Sequence, residues 1–200
     1  MVPAQGEGRP QLTTLEVPAS AEAWRRCGFD VPEDSVFAAG PVAVRLDAAA
    51  QQVTLRLSEP VEGLAFCEQA DAPLSIHPNG VTAVDHVVLA TSRPEAAVAA
   101  LVAAGAEVRG TRETELGGTR IEQRFLPLPG GMIELVSSDD WPESPAIWGI
   151  TFACSDPDAA AAAYPDLIPA PHHAVQPGRR ITTIAREASL GTRVALISPR

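Results

Sequence analysis

Short aliphatic runs, broken at intervals by proline and glycine, set the rhythm of this chain. The clearest unit spans 81–136. Val84-Asp85-His86-Val87-Val88-Leu89 reads as a strand, Pro94 to Val102 as a helix ended by Gly105, and Arg120 to Leu126 and Met132 to Val136 as two more strands about a Pro129-Gly130-Gly131 turn. Ser92 and Glu95 have the spacing of a capping box, and Pro94 fits a first helical turn.

The same order returns 63 residues later: Val84 to Glu95 map onto Ile147 to Asp158, with strand periodicity, serine, proline and acidic residue in register. Asp158 to Tyr164 supplies an alanine helix stopped by Pro165. Arg180 to Ile184 then answers the strand at Arg120, and Val194 to Ile197 answers Ile133 to Val136. A worn copy precedes both. It has a strand at Leu12 to Val17, a brief helix at Ser20 to Cys27 with Trp24 on its inner side as a core anchor, and strands at Ser35 to Ala38, Val42 to Leu46, Val53 to Leu57 and Gly63 to Glu68. The predicted organisation is a flexible N-terminus over 1–10, a degenerate module over 11–69, a linker over 70–80, a central module over 81–140 and a third module over 141–200 that pairs with it. The class is α+β, with tandem βαβββ modules. His77 in the linker reads as a solvated loop histidine. An odd number of modules leaves one sheet edge or face without a partner, to be covered by a second copy of the chain, as a homodimer, or by internal packing of the first module.

Charge narrows the function. The net charge is −10, and all 15 basic residues are arginine, which removes lysine Schiff-base chemistry and a phosphate-loop lysine. An acidic chain with 4% aromatic residues lacks the basic patch and stacking platforms of a nucleic-acid binder, and it has no attraction for anionic membranes. No run approaches the ~20 apolar residues of a membrane span. The expected partner is a small molecule, with no nucleotide cofactor. Cys27, Cys67 and Cys154 are too scattered for a disulfide framework or a zinc cluster. With no signal-like start, they predict a cytoplasmic protein.

His86 and Glu134 stand in the first and last strands of the central unit, among aliphatic neighbours where a titratable side chain is costly without a partner. A tandem of such units, with Asp-His-Val-Val-Leu in an opening strand and Ile-Glu-Leu-Val in a closing one, resembles the vicinal oxygen chelate superfamily, specifically its glyoxalase-like and bleomycin-resistance-like domains. The likeness covers 81–198 and, less closely, 12–68. It implies paired βαβββ modules whose curved sheets enclose a cleft, and a divalent metal (Zn, Ni, Mn or Fe) held by the first and last strands of each module. His86 and Glu134 fall on those ligand positions, with Glu134 also a catalytic proton carrier. The third module departs from this pattern, because its matching positions are Gly149 and Ala195. Thr13 and Thr14 of the first module are poor ligands, and two ligands alone bind weakly. His172 or His173 is either a supplement to that shell or part of an exposed turn.

In Gln176-Pro177-Gly178-Arg179-Arg180, two guanidinium groups suit a carboxylate or enolate oxygen. Arg179 is the catalytic candidate there, with Arg180, Gln176 and Gln123 as substrate-binding candidates. The alternative is a turn whose arginines pair with the protein's own carboxylates. The expected function is a glyoxalase-like lyase or isomerase acting on a substrate with neighbouring oxygens. A metal-free binding or sequestering protein on the same fold is the alternative, and an assembly role for the first module is a third.

Overall fold

The computed structural model describes residues 9–116 and 118–199, so most of the predicted N-terminal tail lies outside the described residues. The central unit forms β5 (Val81–Thr91), α2 (Pro94–Ala103), β6 (Gly110–Leu116), β7 (Thr119–Leu128) and β8 (Gly131–Ser137). The third forms β9 (Ala146–Cys154), α3 (Pro157–Ala163), β10 (His172–His173), β11 (Arg180–Thr183) and β12 (Arg193–Ile197). In each, the first strand pairs in parallel with the last, and β5 and β9 join antiparallel into one eight-stranded sheet, ordered β10-β11-β12-β9-β5-β8-β7-β6. Val87 pairs with Ile150, its own counterpart in the repeat, while His86 faces Thr151 and Val88 faces Gly149. This exchange of equivalent positions marks a local twofold axis through the sheet, as the repeat predicts.

The first stretch gives β1 (Leu12–Val17), α1 (Ala21–Arg25), β2 (Val36–Ala39), β3 (Val42–Leu46) and β4 (Thr54–Leu57), in a four-stranded sheet ordered β2-β3-β1-β4. β1 is parallel to β3, as an opening strand is to a closing one, and β4 lies antiparallel on its other edge. That edge is the one which, in the large sheet, a partner module's opening strand occupies. The strand expected at Gly63 to Glu68 is reduced to a single bridge between Leu55 and Phe66.

Strand alternation sends Val87, Leu89, Ile133, Leu135, Ile150, Phe152, Val194 and Leu196 to the back of the large sheet. There they join Leu101 of α2, Ala160 of α3 and Leu12, Leu15, Trp24 and Phe37 of the first stretch in one continuous core. Burying each large side chain is worth about 1.5–3 kcal/mol. Trp24 is fully buried, with ring centroids 4.7 Å from Phe29, 5.5 Å from Phe37 and 5.9 Å from Phe152, which makes it the core anchor expected. The first stretch therefore packs against the back of the large sheet within the chain. The predicted turn at Gly130 is clasped to β1: Leu12 N–H donates to Pro129 O at 2.9 Å, and a Cβ at Gly130 would lie 2.3 Å from Leu12 O.

Three local expectations are corrected. The N-cap of α2 is Arg93 without a side-chain bond; Thr91 Oγ1 accepts from Arg93 N at 3.0 Å, and Glu95 turns to Arg124 at 2.8 Å, so Ser92 and Glu95 form no capping box. In α3 the cap is Asp156, which accepts from Asp158 N and Ala159 N, while the Ser155 amide donates to Gly80 O. His77 is buried: Nδ1 accepts from Asp30 N at 3.0 Å, Nε2 meets Ala38 O at 2.8 Å, and the ring lies beside Phe29 and Phe37. Desolvation holds its pKa below the ordinary histidine value. All three cysteines are free and buried, and burial pushes Cys27 up to about 11. Among the described residues no helix is long and apolar enough to cross a membrane.

Candidate active site

The front of the eight-stranded sheet lines a cleft of about 620 Å³. The alternation that buries Val87 and Ile133 turns His86 and Val88 of β5, Glu134 and Val136 of β8, Ile121 and Gln123 of β7 and Thr151 of β9 towards it. β5 also carries a bulge. Val84 pairs with Phe152 and His86 with Thr151, so Asp85 is an extra residue in the ladder. The bulge brings two sequence neighbours together: the carboxylate of Asp85 lies 2.8 Å from Nδ1 of His86, a contact that regular alternation would prevent.

A continuous line of contacts runs through the base of the cleft. His86 Nε2 is 3.4 Å from Glu134 Oε2, with 9% and 12% of the two side chains exposed. Gln123 Nε2 donates to Glu134 Oε1 at 2.5 Å, and Arg112 Nε donates to Gln123 Oε1 at 2.8 Å. Behind His86, Arg179 donates to Asp85 Oδ2 at 2.6 Å and to Ser198 O at 2.7 Å. Burial alone would raise the Asp85 pKa, but the hydrogen bonds from His86 and Arg179 hold it down at about 2. An ionised Asp85 only accepts, so Nδ1 of His86 carries its proton and Nε2 is the atom that faces Glu134.

His86, Gln123 and Glu134 are thus brought together, and Gln176 lines the same cleft from the β10–β11 side. The two arginines are elsewhere. Arg179 is 3% exposed and lies behind the cleft, where it orients Asp85. Arg180 grips Asp158 at 2.7 and 2.8 Å and Pro171 O at 2.8 Å, on the outer side of β11. Both therefore bind the protein's own acceptors. His172 and His173 are exposed on the edge strand β10 at the rim, and Thr14 is buried against Ala70 in the first sheet. Asp85, Arg112, Trp148 and Arg193 were missed. Trp148 had a signal, because it stands 63 residues after Asp85 and is the extra residue of the matching bulge in β9.

No family model matches the sequence, and no curated protein does. Among solved structures, the methylmalonyl-CoA epimerase of Mycobacterium tuberculosis is similar at 20% identity and a TM-score of 0.48, over 60% of this chain and 90% of that one. The Streptomyces coelicolor epimerase in complex with 2-nitronate-propionyl-CoA is 23% identical with a TM-score of 0.48, over 59% and 97%. A hypothetical protein of Bacillus halodurans C-125 is 14% identical with a TM-score of 0.47, over 58% and 94%. The epimerases are vicinal oxygen chelate proteins. This chain has the paired βαβββ architecture expected from its repeat. Its own strand order and dyad register carry that assignment, and the likenesses carry no argument about substrate.

The vicinal oxygen chelate fold implies a metal between its modules, and the donor set tests that. Val88 pairs with Glu134 and Thr151 with Ala195, so Ala195 is the counterpart of Glu134, as Gly149 is of His86. A Cβ at Gly149 would lie 3.1 Å from Arg193 O and 3.3 Å from Arg193 Cβ, which leaves little room for a ligand side chain. His86 is oriented by a carboxylate as metal-binding histidines are. Yet among the described residues no group of three or more His, Cys, Asp or Glu is placed to hold an ion, against the three protein ligands or so of a catalytic site. These residues do not fit such a site.

Proposed function

We propose that the chain is a glyoxalase-like lyase or isomerase in which Glu134 moves a proton on a small substrate with neighbouring oxygens. The His86–Glu134 contact carries this reading: two titratable, nearly buried side chains meet at 3.4 Å at the base of a cleft, and each is oriented from behind. Groups buried in that way are expensive unless they are used. Oε1 of Glu134 is engaged by Gln123, so Oε2 is the basic atom; it takes a proton from carbon beside a substrate carbonyl. Nε2 of His86, unprotonated in this tautomer, faces the same space as an acceptor for a substrate hydroxyl and so holds the substrate beside Oε2. Asp85, anchored by Arg179, keeps the imidazole in the tautomer this needs. No step calls on a divalent ion.

Incubation in D2O with a panel of 2-oxo acids and acyl thioesters, followed by proton NMR, is the test. Loss of the signal beside the carbonyl with wild type, abolished in Glu134→Gln, is expected; exchange that persists in Glu134→Gln overturns the assignment. A metal-free binding protein is the second reading, favoured by the aliphatic and aromatic lining of Val88, Ile121, Val136, Trp148 and Ile181. Binding without exchange by wild type would put it in front.

A further inference from the structure

We infer that Arg193 and Arg186 form an anion-binding subsite on the third-module side of the cleft, and that the substrate is an organic acid, a carboxylate or phosphate on an apolar body. The inference rests on the reading of this cleft as the substrate site. Arg193 opens β12, paired with Gly149, and shares the cleft face with Ala195. Its guanidinium carbon lies 3.9 Å from the centroid of the Trp148 ring, and Trp148 in turn stacks on Trp141 at 6.4 Å and 25°. A guanidinium held over an indole loses less freedom when its N–H groups bind a ligand. Arg193 therefore flanks the position at which a metal-binding second module of this fold would bring its opening-strand ligand. Fixed N–H donors stand where coordination would otherwise be.

Charge supports the same assignment. The net charge is −10, and Arg120, Arg124, Arg179 and Arg180 all hold carboxylates, yet among the described residues neither Arg193 nor Arg186 has an ion-pair partner. Burial and the Arg186 charge both lower the Arg193 pKa. Two like charges beside one opening gain from an arriving anion. The carboxylates lining the cleft, Glu115 and Glu134, belong to the central module. The loop between the arginines is already in place. Ala188 and Leu190 are buried in the core, and Gly191, at φ 72°, packs so that a Cβ would lie 2.3 Å from Pro18 O. Val88, Ile121 and Val136, with Trp141 and Trp148, supply an apolar surface for the body of the ligand.

Calorimetric titration with naphthoate, naphthyl phosphate and the neutral naphthamide tests the subsite. Wild type is expected to bind at least one anion roughly tenfold or more tightly than the amide, and the tighter anion names the group recognised. Arg193→Gln and Arg186→Gln should each reduce that preference, and the double variant should remove it. No anion preference in wild type, or a preference that survives the double variant, overturns the proposal. Glu134→Gln separates this from the proton-transfer reading. If D2O exchange is absent in wild type while both wild type and Glu134→Gln prefer the anion, the subsite stands and the proton transfer falls; exchange without anion preference gives the reverse.

Discussion

The central and third modules share a frame down to the pairing of single residues, yet they bring opposite things to the cleft. Asp85 is matched by Trp148, His86 by Gly149 and Glu134 by Ala195, so one half carries a hydrogen-bonded line of titratable groups and the other a ring, a gap and a methyl group beside Arg193. The back of the sheet did not diverge in this way. Val87 and Ile150, Ile133 and Val194, and Leu135 and Leu196 remain aliphatic pairs at equivalent places. Packing constrains the convex face, because a cavity there costs several kcal/mol, whereas the concave face contributes little to folding and is free to specialise. One copy can hold the proton chemistry while the other holds the ligand.

The sharpest way to break that division is Glu134→Gln, which should lower exchange about a hundredfold or more and leave the melting temperature nearly unchanged, because the amide still meets Gln123. Equal activity would show that the central module does not own the chemistry. Arg179→Met comes next. It strands Asp85 in a site where only 11% of its side chain is exposed, and urea unfolding should record a loss of about 3 kcal/mol. A loss near zero would remove Arg179 from the line behind His86.

Ala195→Glu tests the comparison from the other side, since it returns the counterpart of Glu134 to the third module. Nickel, zinc and manganese should bind wild type weakly and His86→Ala not at all, and Ala195→Glu should tighten nickel about tenfold. Identical titrations for wild type and His86→Ala would dismiss His86 as a ligand.

The smallest effects concern pH. The folded pKa of Asp85, about 2, lies below its ordinary 3.8, so its contribution is full above pH 3.8 and lost as pH falls through 2. Arg179→Met should move that acid transition to higher pH, because only the His86 hydrogen bond then holds the Asp85 pKa down. His77 is also depressed below its ordinary 6.5, so the unfolded chain takes the proton first and stability begins to fall as pH drops below 6.5. Acid titration of His77→Gln, followed by near-ultraviolet dichroism, should lack this first decline.

The repeat made the large sheet legible, because strand period, proline and acidic first turn recur at one offset and burial depends on that period. His86 and Glu134 were legible for a related reason: polar residues in aliphatic strands stand out. The missing parts depend on contacts between distant segments. Nothing near Arg179 in sequence announces that the start of β11 passes behind Asp85, and no local signal separates it from Arg180, which turns to Asp158. Both caps fall one residue later than the serines, whose amides meet distant segments: Ser155 donates to Gly80 O of the linker and Ser92 to Pro142 O. His77 looked solvated for the same reason, since its partners, Asp30 and Ala38, come from the first stretch.

The two bulges have a consequence for how this gene can change length. Asp85 is surplus on β5 and Trp148 is surplus on β9, and between the Val84–Phe152 and Leu89–Ile147 pairs the two insertions cancel. Each is unpaired, so deletion of either codon would remove a bulge and leave every ladder pair from Val84–Phe152 to Leu89–Ile147 as it is. What each deletion discards is chemistry: the carboxylate that orients His86 in one case, the ring that carries Arg193 in the other. The ladder therefore tolerates loss at either site, and the cleft does not.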